Sequence, residues 1–511
     1  MHTGFQVGAR AKGGTPLFSR VLGCCAVSDA ADRRPPGSVR LADAQRDVAA
    51  ELDRIAPVID ELGARFAAAG HELALVGGQV RDAMLGRRHN DLDLTTSARP
   101  DEIERLLAGW ADNTWDVGRA FGTIGSRKGS FQVEITTYRS DRYDPASRKP
   151  DVDFGDSLEG DLGRRDFTVN AMAVRVPSRE FVDPYGGVVD LAHGLLRTPG
   201  RPEDSFSDDP LRMMRAARFA AQLGFEVDPA VVEAMTAMAG RISIISAERV
   251  RDELVKLVLS PYPRRGLTLL VETGLAALVI PELPALALER DEHHRHKDVY
   301  EHTLTVLEQS IELEDRLGGP DFVSRFAALM HDVGKPRTRR FLPDGTVTFH
   351  HHDVVGAKLT RKRMQALRFP GDDTDAVSKL VELHLRFHGY GSGQWTDSAV
   401  RRYVRDAGDQ LDRLHVLTRA DCTTRNQRKA ERLRRTYDEL EARIERLSEE
   451  EELAAIRPDL DGTQIMEILG IPPGPQVGAA YRFLLERRLD EGPQSYDDAK
   501  AALLTWWADQ G

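Results

Sequence analysis

The sequence predicts a mixed α+β head followed by helical domains over the rest of the chain. Three observations carry this. Between residues 70 and 195, short β-rich runs (73–76, 91–94, 131–137, 171–176) alternate with helical stretches. After about residue 200 the strand signal nearly vanishes, and apolar residues recur at helical spacing over 209–224, 247–259 and 264–279. The length, 511 residues, leaves room for several cores of ordinary size.

Taken in order, residues 1–38 mix Gly, Ser and Arg around Pro35-Pro36-Gly37 without periodicity, and a disordered extension is expected there. Residues 39–69 read as a leading helix, with Val48, Leu52, Ile55, Val58, Ile59, Leu62 and Phe66 on one face. The head is expected over 70–195 and a helical neck over 196–285, where Pro281 and Pro284 mark a boundary. A second helical domain follows over 286–425, interrupted by one hairpin flank at 346–349 with Asp344-Gly345 as its turn. Residues 426–511 are helical and charged.

Composition excludes several classes. With 81 Asp+Glu against 70 Lys+Arg the net charge is −11, which argues against a uniformly basic nucleic-acid coat. Residues 401–435 nevertheless hold eleven Lys/Arg against five acids, and Arg139, Arg142, Arg148 and Lys149 form another basic stretch, so basic tracks for RNA phosphates are expected. No apolar run approaches 18 residues, so no membrane helix is expected. Cys24, Cys25 and Cys422 cannot staple a chain of this size, and no apolar core of signal-peptide length precedes Cys24; a reduced, cytoplasmic protein is expected.

The strongest constellation is Leu75-Val76-Gly77-Gly78-Gln79-Val80-Arg81-Asp82 followed by Asp91-Leu92-Asp93-Leu94. Residues i and i+2 of a strand share a face, so Asp91 and Asp93 stand side by side. Adjacent carboxylates repel unless a cation holds them, and oxygen ligands suit Mg²⁺ together with substrate phosphates. The glycines let the backbone approach a triphosphate, and Arg81, one turn in, can reach the same phosphates. Glu134 could face the pair as a third carboxylate, or lie on a solvated strand face.

In this strand–turn–helix–strand order the motifs resemble the nucleotidyltransferase head of DNA polymerase β-like enzymes. More closely they resemble the bacterial class II CCA-adding tRNA nucleotidyltransferases and poly(A) polymerases. Arg164-Arg165-Asp166-Phe167-Thr168-Val169-Asn170 is similar to the second family motif, which implies that Arg165 and Asp166 contact the nucleotide. Asp183-Pro184-Tyr185-Gly186-Gly187 resembles the turn joining head to neck, where a purely structural glycine turn is expected. Asp208-Asp209-Pro210-Leu211-Arg212 stands where the family usually has Glu-Asp; Asp208 or Asp209 should cap a helix with Pro210 in its first turn. Asp209 and Arg212 share a helix face, so the carboxylate can accept from the amino group of C or A while the guanidinium donates to the ring nitrogen. Arg215 and Arg218 continue that face toward phosphate or RNA.

A second site is built from His302, the pair His331-Asp332, His352, His384 and Asp421. The spacing resembles the HD phosphohydrolase superfamily. That resemblance implies a divalent metal on His302, His331, Asp332 and Asp421, with His352 and His384 where two-metal relatives add ligands. Imidazole nitrogen favours a transition metal over Mg²⁺, and such a site can activate water on a phosphoester.

The expected function is therefore addition of C, C and A to the tRNA 3′ end from CTP and ATP, by two-metal in-line transfer on Asp91 and Asp93. A poly(A) polymerase shares nearly every motif. An HD phosphohydrolase or RNA-binding protein with a vestigial head is a third reading, opposed by retention of both head carboxylates. No oligomeric state is specified.

Overall fold

A computed structural model describes residues 37–142, 151–155, 157–287, 299–344, 347–387, 395–424, 426–451 and 457–510. Residues 1–36 of the expected disordered extension, with Cys24 and Cys25, and Arg148, Lys149 and Gly345 of the hairpin turn lie outside these residues. The chain divides into two compact units, one comprising residues up to 249 with 260–275, the other 250–259 with 276–511.

In the first unit, helix α1 (Leu41–Ala68) buries the expected stripe Val48, Leu52, Ile55, Ile59, Leu62 and Phe66. Strand β1 (Leu73–Val76), helix α2 (Gly78–Met84), strand β2 (Asp91–Thr96) and helix α3 (Pro100–Leu107) follow. Then come β3 (Asn113–Gly118), β4 (Thr123–Lys128), β5 (Phe131–Thr137), β6 (Arg139–Arg142), β7 (Asp151–Phe154), α4 (Leu158–Gly163), β8 (Ala173–Val176) and β9 (Phe181–Val182). The sheet order is β3-β4-β5-β2-β1-β8-β9. Its pairs are antiparallel except β2 with β5, which run parallel. The catalytic strand expected from the sequence therefore lies at the centre of the sheet. Strands β3 and β4 (Asn-Thr-Trp-Asp-Val-Gly and Thr-Ile-Gly-Ser-Arg-Lys) were not expected: their residues are polar and glycine-bearing, and only pairing in the sheet makes them strands.

Helix α5 (Gly187–His193) leaves the turn at Gly186-Gly187, and a two-residue parallel pair, β10 (Leu195–Leu196) with β11 (Glu226–Val227), is a further β element beyond the expected one. Gly186 takes a left-handed φ of 74°, and a Cβ on Gly187 would lie 2.2 Å from the Thr168 carbonyl oxygen, so this turn requires its glycines. The neck helices are α6 (Pro202–Asp208), α7 (Leu211–Leu223), α8 (Pro229–Met238), α9 (Ala247–Val258), α10 (Pro263–Glu272) and α11 (Leu275–Val279). Asp208 ends α6 rather than capping α7. Asp209 is the one whose side chain accepts the Leu211 N–H at 3.0 Å, ahead of a helix that starts after Pro210. The single helix expected over 264–279 is broken because Gly274 turns left-handed at φ 79°.

The second unit is helical, as expected: α12 (Val299–Glu312), α13 (Phe322–Met330), α14 (Lys335–Thr338), α15 (His352–Ala366), α16 (Gly371–Leu383), α17 (Asp397–Ala407) and α18 (Leu411–Ala420). Between α14 and α15, β12 (Arg340–Phe341) pairs with β13 (Val347–Thr348). Beyond α19 (Gln427–Glu451), helices α20 (Gly462–Leu469), α21 (Pro475–Glu491) and α22 (Tyr496–Ala508) enclose a small core of Leu460, Ile465, Ala480, Leu484, Ala499 and Leu503.

The basic track expected over 401–435 is partly internal. Arg402 pairs with Glu486 and Asp490, Arg405 with Glu486, Arg413 with Asp321, and Arg419 with Asp438 and Glu441, while Arg401 donates to the Leu489 carbonyl. These arginines fasten helices to one another, which narrows the basic run to residues of α19. No described helix is long and apolar enough to cross a membrane.

Candidate active site and metal centre

Alternation along β2 buries Leu92 and Leu94 and turns Asp91 and Asp93 out to the opposite face. In the parallel ladder Asp93 lies directly opposite Glu134 of β5, so a third carboxylate joins the pair. Asp93 is solvent-accessible, yet protein crowds it. That desolvation and then the Glu134 charge raise its pKa above the ordinary carboxylate value, while Arg165 opposes the shift. Carboxylates are the ligand type a hard divalent cation takes, although these three do not converge within 4.8 Å of one another as the two HD groups do.

Ahead of them, β1 enters the Gly77-Gly78 turn. Gly77 takes φ 72°, and a Cβ there would come within 2.7 Å of Arg165 Nη1, so the glycine makes room for that guanidinium. Arg165 Nε is buried without a hydrogen-bond partner. Arg81 is buried rather than extended: it donates to Asn170 Oδ1 at 2.5 Å and to Asp82 at 2.9 and 3.0 Å. Asn170 in turn donates to Asp166 Oδ1 at 2.9 Å, and Arg215 Nε to Asp166 Oδ2 at 2.7 Å. Burial resists the Asp166 charge, but the Arg215 cation and the Asn170 and Arg215 hydrogen bonds outweigh it and bring its pKa to about 2. The guanidinium carbons of Arg81, Arg215 and Arg218 lie 5.2, 5.5 and 3.8 Å from the centre of the buried Phe219 ring, and Arg218 also donates to Gln222. Second-motif and neck residues are thus joined in one network.

The side chains of Asp209 and Arg212 take separate partners, although the Arg212 N–H donates to the Asp209 carbonyl at 3.0 Å. Arg212 is buried and donates to Ser205 Oγ at 2.8 Å and to the Arg164 carbonyl at 2.6 Å. Asp209 Oδ2 accepts from Arg249 of α9 at 2.9 Å. Sequence reasoning passed over Arg249 and also Asp161, a buried carboxylate of α4 that holds both Arg164 and Arg165. The signal for Asp161 was its spacing, three and four residues before that arginine pair on a helix end.

In the second unit the six HD-type residues fall into two groups: His302, His331 and Asp421, and Asp332, His352 and His384, each with one ligand atom within 4.8 Å of the others. His302 Nε2 is 3.0 Å from Asp421 Oδ1, His331 Nε2 is 3.2 Å from Asp332 Oδ2, and His352 Nε2 is 3.4 Å from Asp332 Oδ1. The Nδ1 atoms of His331, His352 and His384 face the carbonyls of Ala328, Phe349 and Val381 at 2.8, 2.8 and 2.6 Å. That contact places one proton on Nδ1, so Nε2 is the nitrogen a metal would take. His384 Nε2 is buried and unpaired, the kind of atom a metal would satisfy. Burial and then the His331 charge push the His384 pKa down to about 3. His331 also suffers burial, but Asp332 and Asp421 raise its pKa to about 8.

A mixed sheet with carboxylates on a central strand, preceded by a strand–Gly-Gly–helix turn and followed by helices carrying an HD cluster, defines a nucleotidyltransferase of the polymerase-head class. Residues 73–197 match the poly A polymerase head domain, 224–286 the probable RNA- and SrmB-binding site of polymerase A, and 299–426 the HD domain. The chain is 37% identical over 442 residues to the A-adding tRNA nucleotidyltransferase of Deinococcus radiodurans, covering 85% of this chain and 95% of that protein. It is 32% identical over 442 residues to the CC-adding tRNA nucleotidyltransferase of Thermus thermophilus, covering 84% and 93%. The CCA-adding enzyme of Bacillus stearothermophilus, solved in complex with CTP, matches with a TM-score of 0.59 and 26% identity over 89% of this chain and 98% of that one. The chain belongs to the family of tRNA nucleotidyltransferases and bacterial poly(A) polymerases.

Proposed function

We propose that this chain adds C, C and A to the 3′ end of tRNA from CTP and ATP without a nucleic-acid template, in the cytoplasm. The observation that carries the reading is the carboxylate face of β2, with Arg165 beside it, in a chain that matches tRNA nucleotidyltransferases along most of its length. The tRNA 3′ hydroxyl attacks the α-phosphorus, a new P–O bond forms, and the bond to the bridging oxygen breaks to release pyrophosphate. Asp91 and Asp93 would hold Mg²⁺, which supplies charge neutralisation at nucleophile and leaving group. Arg165 neutralises the triphosphate. Asp209 accepts from the amino group of C or A, and Arg212, fixed by Ser205 and the Arg164 carbonyl, donates to the adjacent ring nitrogen. G and U would set an oxygen against the Asp209 carboxylate and lose that bond. In the second unit, His302, His331, Asp332 and Asp421, with His352 and His384, would hold one or two divalent transition metals suited to phosphoester hydrolysis.

The Deinococcus relative favours a second reading, addition of the terminal A alone. One experiment separates them. The purified chain is given CTP alone with a tRNA lacking its last three nucleotides, and ATP alone with a tRNA ending in CC. Incorporation in both supports the first reading; incorporation only of A leaves the second.

A further inference from the structure

Asp161 lies within the short helix α4, with its side chain closed off from solvent. Its carboxylate faces donors from four directions. Oδ1 accepts from Arg164 Nε and Nη2 at 3.1 and 2.8 Å and from the Arg139 backbone N–H at 3.3 Å. Oδ2 accepts from Arg165 Nη2 at 3.2 Å and faces Thr95 Oγ1 at 3.4 Å, whose one proton it shares with the Thr136 carbonyl at 3.1 Å. These donors are unlike a simple structural salt bridge in what lies behind each of them. Thr95 is two residues beyond Asp93 on the same strand, and is the next residue on the face that carries Asp91 and Asp93. Arg165 stands over Gly77 and acts on Asp93. Arg164 offers its carbonyl to Arg212 Nη2 at 2.6 Å.

From this geometry we infer that Asp161 is a positioning residue for nucleotidyl transfer, tying the strand of the carboxylates, the phosphate-side Arg165 and the base-reading Arg212 to one buried anchor. The inference rests on the function proposed above. Without the anchor, Arg165 keeps its charge but loses the hydrogen bond that its Nη2 makes to Asp161, and its Nε has no partner to hold it at its station between Asp93 and the glycine turn. Arg164 would turn, and with it the carbonyl that orients Arg212. Burial alone would disfavour the Asp161 charge, but Arg165 and Arg164 outweigh it, and its carboxyl is held below the ordinary range. An asparagine in the same place must point an N–H₂ at one of these donors, which repels what the carboxylate held.

The test is a cycle of variants of the full chain: Asp161→Asn, Asp161→Glu, Arg165→Ala and the double variant D161N/R165A. CTP and UTP incorporation on a tRNA lacking its last three nucleotides is measured with Mg²⁺. D161N should raise KM for CTP by about tenfold or more, the scale of a lost charge-assisted hydrogen bond, with a smaller change in kcat. It should also lower the preference for CTP over UTP, and D161E should restore part of both. In the R165A background, D161N should raise KM clearly less than it does in the wild type, because the part of its effect that runs through that arginine is already lost. Additive losses in the double variant, or D161N with wild-type KM and wild-type preference, would overturn the inference. Should D161N fail to fold by circular dichroism, Thr95→Val takes its place in the cycle: it should raise KM about threefold in the wild-type background and not in R165A. An equal rise in both backgrounds would count against the anchor. If the wild-type chain incorporates no nucleotide, the functional reading falls by itself, and calorimetric titration of CTP with Mg²⁺ into the same variants decides on affinity alone. Absence of CTP binding by the wild type would overturn both.

Discussion

Arg249 Nη2 lies 2.9 Å from Asp209 Oδ2, so the carboxylate proposed to read the base is held by a cation forty residues further along the chain. The same carboxylate's other oxygen accepts the Leu211 N–H, which fixes its rotation. Arg249 is half-exposed, so the pair adds little to stability, well under about 1 kcal/mol. Its consequence is orientation. Arg249→Ala should leave the melting temperature close to wild type and lower the ratio of CTP to UTP incorporation by roughly three- to tenfold, the scale of one ordinary hydrogen bond at a half-exposed site. Arg249→Lys should recover part of the ratio. An unchanged ratio in R249A would show that Asp209 needs no second partner.

The carboxylates of the head give a sharper outcome. Asp91→Ala and Asp93→Ala should each reduce nucleotide addition by about 10³-fold or more, several kcal/mol of lost charge stabilisation. Glu134→Gln tests the third carboxylate that the strand register places opposite Asp93. It should weaken the affinity for Mg²⁺, seen as a rise in the concentration giving half-maximal rate. Metal retained by the HD cluster, measured by mass spectrometry of the purified D91A protein, should be unchanged, because those ligands belong to the other unit.

Asp166 predicts a pH dependence. Its folded pKa of about 2 lies below the ordinary value of 3.8. A depressed carboxyl contributes stability above its unfolded pKa and loses it as pH falls through the folded one, here between about pH 4 and 2. The shift corresponds to about 2 kcal/mol at neutral pH. Urea unfolding should therefore show Asp166→Asn destabilised at pH 7, with the deficit relative to wild type shrinking as the pH falls through that window. A deficit that stays constant with pH would mean the ion pair with Arg215 is not its source.

What could be read in the sequence follows from how far each signal reaches. Leu73–Val76 and Phe131–Thr137 were legible because their apolar content survives in any strand. The Asp-Leu-Asp-Leu alternation of β2 likewise fixed which side chains share a face before any fold was known. β3 and β4 were not legible, since Thr-Ile-Gly-Ser-Arg-Lys becomes a strand only by pairing with β5. The same holds for the site. Asp91, Asp93, Arg165, Asp209 and Arg212 sit in short motifs. The contacts of Asp161 with Thr95, and of Asp209 with Arg249, bridge 66 and 40 residues and exist only once the topology is set. Periodicity also hid the internal pairing of Arg402, Arg413 and Arg419, because a charge run reads alike whether its carboxylates come from solvent-facing or adjoining helices.

The HD cluster depends on a backbone approach that its ligand residues do not reveal. Gly334 follows His331 and Asp332 by three and two residues, and a Cβ built on it would lie 2.0 Å from the His352 carbonyl oxygen and 2.7 Å from the Gly356 nitrogen. Both are main-chain atoms of α15, so no side chain can swing away to make room. Gly334→Ala must push α15 outward, and that helix carries His352, whose Nε2 faces Asp332 Oδ1 at 3.4 Å. Overpacking of this kind costs about 1–3 kcal/mol, occasionally more. The displacement falls on one metal group, Asp332 with His352 and His384, rather than on His302, His331 and Asp421. G334A should therefore melt several degrees below wild type and retain less metal, with the loss confined to part of the bound content if two ions are held. His384→Ala should reproduce the metal loss without that packing penalty, because it removes a ligand and leaves α15 in place. Full metal retention in G334A at the lowered melting temperature would show that the approach of α14 to α15 serves packing alone.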